Sequence, residues 1–371
     1  MKKLLLIGAG EAHAAVLYRL ARQPAANADI TLACPSAMSL RSAMLPGHVA
    51  GHYSRARIEI DLADTARTAG VTVVPDRVIV IDADARMAVT VGGRELEFDF
   101  ASIDVGAATL APEVPGVARF ALLTRPAAVF LQGWARVCEL ALEGVLTRLT
   151  VVGGGSEAVE LMLAMHHGLK RVLPAPAFAA CGFSIVTAGL RLLESLPEPL
   201  GLAAEAICLA RGISLLRGAA VVEVACGSVN LSNGARLVSD ITVWAAARRG
   251  ARWLEASGLE CDPRGLLRVD ANLRSLSSRR VYAAGSCRAV EIADAAGARG
   301  ARDAAQLAAN LRHALAGAPP PPLPPTRDPI EFVSLGTRRA LATRGAAPVD
   351  APAWLLWRYK DWLDRRATGG V

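Results

Sequence analysis

Two glycine-rich segments carry the clearest chemistry in the sequence. Gly8-Ala9-Gly10-Glu11-Ala12-His13 ends an apolar run and opens a helical one, and Gly153-Gly154-Gly155-Ser156-Glu157-Ala158 repeats the plan in mid-chain. At each, a strand would lead through a tight turn into a helix whose first N–H groups are aimed at a diphosphate. His13 stands in the third glycine position of the first segment, and Ala158 takes the tolerated third place of the second. Gly8, Gly10, Glu11, Ala12 and His13 are therefore the expected contacts of one dinucleotide, and Gly153, Gly155, Ser156 and Glu157 those of another. The acid that would hold a ribose hydroxyl is missing from both units. In the first, Ala33-Cys34-Pro35-Ser36 offers Ser36 as a substitute. In the second, Thr187-Ala188-Gly189 is followed by Arg191, which either takes a 2′-phosphate or is a solvated surface charge. Cys34 reads as a reactive thiol or, more commonly for a free cysteine, a small buried hydrophobe.

The elements needed to position these turns are legible as alternating strand-like and Ala/Leu-rich helical runs. The first unit reads as a strand at 4–7, a helix at 11–22 and a strand at 29–33. The second reads as a strand at 149–152, a helix from Glu157 and a strand at 183–187. The fold class is thus α/β, with two Rossmann-like, three-layer dinucleotide-binding domains and a small C-terminal region. Between the units, residues 86–100 alternate around Gly92-Gly93, as in an antiparallel hairpin, and a loop break is expected at Pro112 to Gly116. The helix at 304–315 gives way to Pro319 to Pro322 and Pro324-Pro325, a stiff linker. Beyond it, Leu355, Tyr359, Trp362 and Leu363 share one helical face beside basic residues, suited to a membrane surface or to a protein partner.

Composition narrows the classes. Among 371 residues, 53% are apolar, yet no run reaches the roughly 18 needed to span a bilayer. Leu4 to Ile7 stops at Gly8, too short for a signal peptide. Seven scattered cysteines form no C-x-x-C, so no metal site and no disulfide framework is expected, and a reducing, cytoplasmic setting follows. The net charge of +7 suits anionic cofactors or an anionic lipid surface, and no nucleic-acid-binding motif accompanies it.

Six ordered segments together resemble a known family: Gly8-Ala9-Gly10, Ser42-Ala43-Met44-Leu45-Pro46-Gly47, Ile103-Asp104-Val105-Gly106, Val152 to Gly155, Val281 to Cys287, and Lys360-Asp361-Trp362-Leu363-Asp364. They are similar to the pyridine nucleotide-disulfide oxidoreductase superfamily, in its type II NADH dehydrogenase-like branch, and most to the flavoprotein module fused to selenide, water dikinase. The resemblance implies an FAD-binding domain over 1–118 and 264–318, an NAD(P)H-binding domain over 119–263, and a linker and interface or membrane-contact region over 319–371. It implies hydride transfer from NADH or NADPH to flavin and on to a quinone-like or other small acceptor, in the cytoplasm or peripherally on the inner membrane face, with the C-terminal helix at a membrane or homodimer contact. Carried over by position, Gly8, Gly10 and Ser36 would meet the ADP half of FAD, and Met44, Leu45 and Pro46 would line the flavin. Ala107, Arg125, Gly285 and Ser286 would also approach that cofactor, and Glu160 would be the catalytic carboxylate near the two rings. His48, His52 and Tyr53 carry no assigned role.

The departures are specific. Ser286 stands where the family has an aspartate, and Ala245-Ala246-Ala247-Arg248-Arg249 replaces a glycine turn. The redox dithiol of the disulfide reductases is missing. A flavin-binding accessory protein, or a pathway flavoenzyme with a degenerate nicotinamide site, is therefore the alternative reading.

Overall fold

The computed structural model of the protein describes residues 1–25, 27–109, 114–246, 248–289, 296–321 and 330–366, with 296–302 described by backbone alone. Part of the expected loop at Pro112 to Gly116, and Pro322, Pro324 and Pro325 of the linker, lie outside these residues.

In chain order, the elements that matter for the site begin with β1 (Lys2–Ile7), α1 (Glu11–Arg22), β2 (Ala28–Ala33), α2 (Leu45–Val49), β3 (Thr72–Val74) and β4 (Phe100–Ile103). Then come β5 (Ala121–Leu123), α3 (Ala127–Leu142), β6 (Arg148–Val152), α4 (Ser156–Val172), β7 (Gly182–Val186), α5 (Glu198–Ala210), β8 (Ile213–Leu216) and β9 (Ile241–Trp244). The chain closes with β10 (Val281–Ala283), α6 (Ala296–Ala316), the hairpin β11 (Ile330–Ser334) and β12 (Ala340–Arg344), and α7 (Ala353–Arg366).

The first sheet runs β10-β4-β1-β2-β3 and the second β5-β9-β6-β7-β8, every pairing parallel. Each central strand precedes a glycine turn and is flanked by strands of later sequence on both sides. The crevice where strand order reverses lies at β1/β4 and at β6/β9, the usual place for a dinucleotide in such sheets. The expected duplication is therefore present in the topology.

A parallel strand covered on both faces reads as a continuous apolar run, and β1 follows this rule. Leu4 and Leu6 pack with Val16, Leu17 and Leu20 of α1 and with Leu307 and Leu311 of α6. Leu5 and Ile7 face the other way, onto Ile81, Ala88 and Phe98 from the antiparallel hairpin layer. Each fully buried side chain of this kind contributes about 2 kcal/mol. The hairpin expected over 86–100 pairs Met87–Thr90 with Glu95–Glu97, and Val78–Asp82 adds a third strand. In the second unit, Leu149 and Val151 pack onto α4 while Val152 faces a second three-stranded antiparallel layer over residues 221–238.

Two features modify the simple two-domain picture. Leu254 and Leu259, from the stretch assigned by sequence to the second unit, pack in the core of the first with Leu5 and Ile7. Conversely, Met44, Leu45, Val49, Ala50 and Ile58 belong to the core of the second unit, together with Val333 and Leu335 of the C-terminal hairpin. The units are thus cross-packed through segments borrowed from outside their own sheets.

Candidate functional site

The first crevice is built at the carboxyl ends of β1, β4 and β10. Asp104, directly after β4, sits in its centre. Its backbone accepts from Gly10 N at 3.0 Å, and its Oδ2 accepts from Ala12 N at 2.8 Å and His13 N at 3.2 Å. The carboxyl therefore caps the N-terminus of α1, where the helix's free amides carry partial positive charge. Glycines make room for it: a Cβ at Gly10 would lie 2.1 Å from the Asp104 carboxyl carbon, and one at Gly285 2.4 Å from Oδ1. Burial pushes Asp104 up to about 7, against the opposing pull of the two amide hydrogen bonds.

His13, expected among the cofactor contacts, lies behind the turn. It is fully buried, its Nδ1 2.8 Å from the Gly8 carbonyl oxygen and its Nε2 2.9 Å from Ser102 Oγ. A carbonyl only accepts, so Nδ1 carries the proton and Nε2 accepts from the serine hydroxyl. Burial drops the ring to about 4, leaving it neutral. The imidazole fills the gap that a third glycine would close by bringing helix and strand together, and this is why the fingerprint tolerates it here.

Across the crevice, Ala107 N donates to Ser286 Oγ at 2.9 Å, joining two expected contacts from β4 and β10. Glu11, half-buried at the head of α1, accepts from Ser42 N, at 2.7 Å, and from the Ser42 hydroxyl. Ser36 stays on the surface, its Oγ accepting from Met38 N at 3.2 Å. Met44, Leu45 and Pro46 are buried. The side chains of Met44 and Leu45 point into the second unit's core. Cys34 and Cys287 are also buried, and burial pushes the Cys287 thiol up to about 12.

The second crevice gathers Gly153, with φ +133°, Gly155, Ser156 and Glu157 at the head of α4. Arg125, expected beside FAD, lies instead at this second turn, its Nη2 3.1 Å from Glu157 Oε2 in a pair about one-fifth exposed on each side. Arg248 lies half-buried near them, and desolvation, with Arg125 next, lowers its affinity for a proton. Arg191 is spent elsewhere. Its guanidinium donates to the carbonyls of Leu192, Leu193, Glu194 and Leu196 and so clamps its own loop. Leu193 N in turn donates to Gly154 O at 2.7 Å. Neither alternative read from the sequence, a phosphate ligand or a solvated charge, describes that arrangement.

Between the two crevices lies a buried polar cluster. Glu160 of α4 accepts from Ser334 N at 2.7 Å. Lys360 of α7 donates to Ala43 O at 2.9 Å and to Asp364 Oδ2 at 2.6 Å. Burial raises Glu160, while Lys360 and the Ser334 amide counter it. For Lys360 burial acts downward, yet Asp364 and Glu160 win and hold it above its ordinary value. Beside the cluster, Tyr53 donates to Asp361 Oδ1 at 2.6 Å, and Arg365 pairs with the same carboxylate. A buried carboxyl next to a lysine, backed onto the Ser42-Ala43-Met44 segment, is chemically equipped to hold or relay a proton.

Asp104, Arg248, Lys360, Asp364, Ser42 and Ser334 went unassigned in the sequence. Asp104 left a signal, an acid at the carboxyl end of a strand between two glycine turns. Lys360 and Asp364, spaced i and i+4, stand in a segment that carries the resemblance, but their spacing alone is also that of an ordinary solvated pair.

The comparisons agree with this geometry. The NADH dehydrogenase-like protein MT1860 of Mycobacterium tuberculosis is 31% identical over 245 residues, 63% of this chain and 60% of the relative. The type II NADH:quinone oxidoreductase of Haemophilus influenzae is 26% identical over 147 residues, 38% of this chain and 33% of that protein. The chain thus spans at most about 60% of the length of these relatives. Among solved structures, the sulfide:quinone oxidoreductase of Aquifex aeolicus superposes with a TM-score of 0.80 at 16% identity, covering 98% of this chain and 90% of that one. The family model for pyridine nucleotide-disulphide oxidoreductases matches residues 2–304, both crevices included, and the chain belongs to that family.

Proposed function

We propose that the protein is an FAD-dependent oxidoreductase that takes reducing equivalents from NAD(P)H and passes them to a small, quinone-like acceptor. The observation that carries this reading is the pair of switch-point crevices, each opening on a glycine turn and a helix N-terminus, with the buried Glu160–Lys360–Asp364 cluster between them. The first crevice fits FAD. The glycine turn at Gly8 and Gly10 and the Gly285-Ser286 turn would frame its diphosphate and ribityl chain, with Ala107 N already bonded to Ser286 Oγ and Gly10 N to Asp104 O, and Asp104 would be uncharged beside the phosphates. When bound, the flavin supplies the two-electron chemistry between nicotinamide and acceptor.

The chain's own residues bind, orient and manage protons. Gly153, Gly155 and Ser156 would receive the nicotinamide nucleotide's diphosphate at the head of α4, with Arg125 and Arg248 as the nearby cations. Glu160, held by Ser334 and Lys360, would exchange the acceptor's protons. Apolar α7 residues beside this cluster would guide a hydrophobic acceptor and rest on a membrane surface or a second subunit. Among the described residues no helix is long and apolar enough to cross a membrane.

A second reading is favoured by one observation. Arg191 is fully engaged with backbone carbonyls, and Leu193 donates to Gly154 in the turn itself. A second unit built in this way also serves as a scaffold in a flavoprotein that does not accept nicotinamide. Anaerobic addition of NADH and then NADPH to the yellow protein separates the two. Bleaching near 450 nm within about seconds supports the first reading, and bound flavin that stays oxidised with both donors supports the second.

A further inference from the structure

We propose that Asp104 is itself a cofactor-binding residue, acting as a neutral carboxylic acid that donates a hydrogen bond to the FAD diphosphate, so that FAD and one proton bind together. The inference rests on the FAD reading of the first crevice and adds a residue and a proton to it.

The position of the carboxyl carries the argument. Its Oδ2 occupies the Ala12 and His13 amides, the groups a diphosphate would seek at the head of α1. It cannot withdraw. The Asp104 amide donates to Ile7 O, its carbonyl accepts from Gly10 N, and the side chain is 2% exposed between Gly10 and Gly285. Any diphosphate drawn to this helix end therefore meets the carboxyl, and an ionised carboxylate would repel it.

Among the described residues, those facing Asp104 supply no neutralising cation. From α1, Asp104 faces Glu11, which is bound to Ser42, and the neutral ring of His13. From β4 comes the Ser102 hydroxyl, which is bonded to that ring. After β10 come Cys287, whose thiol stays protonated, and Arg288, whose guanidinium is 2.7 Å from Asp303 of α6. Glu11 and Asp303 both favour the protonated acid, in addition to the larger effect of burial, and the group titrates at about 7 before any phosphate is present. Phosphate charge pushes it further the same way. The acid has one hydroxyl to donate, and Oδ2 already serves the two amides, which leaves Oδ1 to carry the proton. No bond to carbon changes. One proton moves from solvent to Asp104 as the cofactor enters.

The test uses full-length protein stripped of flavin and titrated with FAD, following flavin fluorescence between pH 6 and 9. Calorimetry at pH 8 in buffers of different ionisation enthalpy counts protons. The expected result is uptake of about one proton per FAD at pH 8, with affinity falling about tenfold per pH unit above 7. Asp104→Asn, which keeps an acceptor for the two amides and cannot ionise, should bind with no proton uptake and a flat profile. Wild-type binding without proton uptake, or equal uptake in the variant, overturns the proposal. Should the variant not fold, the wild-type proton count alone decides. Absence of FAD binding at every pH overturns the cofactor reading instead, and with it this inference.

Discussion

His13 and Asp104 sit on opposite sides of one glycine turn and pull stability in opposite directions with pH. The ring's folded value of about 4 lies below its ordinary 6.5, so the unfolded chain binds more protons between them and stability falls as pH drops through that window. The carboxyl's value of about 7 lies above its ordinary 3.8, so the folded protein binds more protons between them and stability rises as pH drops from 7 towards 4. The two contributions offset each other in the wild type. In Asp104→Asn only the histidine's loss remains, and denaturant melts at pH 4.5, 6 and 7.5 should show a steeper acid decline. Parallel curves for the two proteins would contradict this. His13→Ala should cost about 2–4 kcal/mol at pH 7, from a lost buried side chain and two hydrogen bonds. At Glu160, Gln retains an acceptor for the Ser334 amide but cannot exchange a proton. Stopped-flow should find reoxidation by a quinone slowed by about 100-fold or more, with reduction by NAD(P)H unchanged. Equal slowing of both halves would make the residue structural. The glycine turns were legible because their spacing is a backbone requirement. Arg191 was not, because a guanidinium that serves four nearby carbonyls leaves no pattern that distinguishes it from one awaiting a phosphate.

Helix α7 inverts the usual polarity of a surface helix. Leu356 points inward together with Lys360 and Asp364, while Trp354, Leu355, Tyr359 and Trp362 are each between 43 and 52% exposed. The apolar face read from the sequence, given there to a membrane or a protein partner, is turned outward, while the inward side docks through Leu356 onto Ala340 and Ala342 and through Lys360 onto the Ala43 carbonyl. Periodicity gives the face and not its direction. Lys360→Met should therefore destabilise the protein by about 3–5 kcal/mol, since it leaves Asp364 and Glu160 without their cation in a buried setting. A chemical melt measures it, and a change under 1 kcal/mol would show the cluster to be well solvated. The outward face, flanked by Arg358, Arg365 and Arg366, suits an anionic bilayer. Flotation with vesicles rich in anionic lipid should retain the wild type at low salt and lose Trp354→Glu/Trp362→Glu. If instead the double variant alters only sedimentation mass, the face is a subunit contact. The β11–β12 hairpin was not foreseen, since its strands follow the proline-rich stretch without a two-residue turn signal.

Over the whole molecule, the core of each unit is completed by residues from outside its own sheet. Because segment 42–58 and the C-terminal hairpin complete the core around α4, thermal unfolding should be a single transition by both far-ultraviolet and flavin signals. FAD at 100 times its dissociation constant should add about 2.7 kcal/mol to that one transition. Two separable transitions, only one of them sensitive to FAD, would show the units to be independent. Sequence periodicity correctly gave two α/β units, since each sheet is specified by local runs. It could not assign Leu254 or Met44 to the unit each helps to build, because cross-packing is decided by tertiary contact alone.

That exchange of segments sets the rules for recombining the protein. A fragment cut at 119–250 would keep its parallel sheet and its glycine turn but lose Met44, Leu45, Val49, Ile58, Val333 and Leu335 from the interior. It would present the bared side of α4 to water as an aggregation surface. A chimera with a relative would have to import residues 42–58 and 330–366 along with the middle unit. Crossover points chosen at the sheet boundaries would fail, and those chosen around the borrowed segments would succeed.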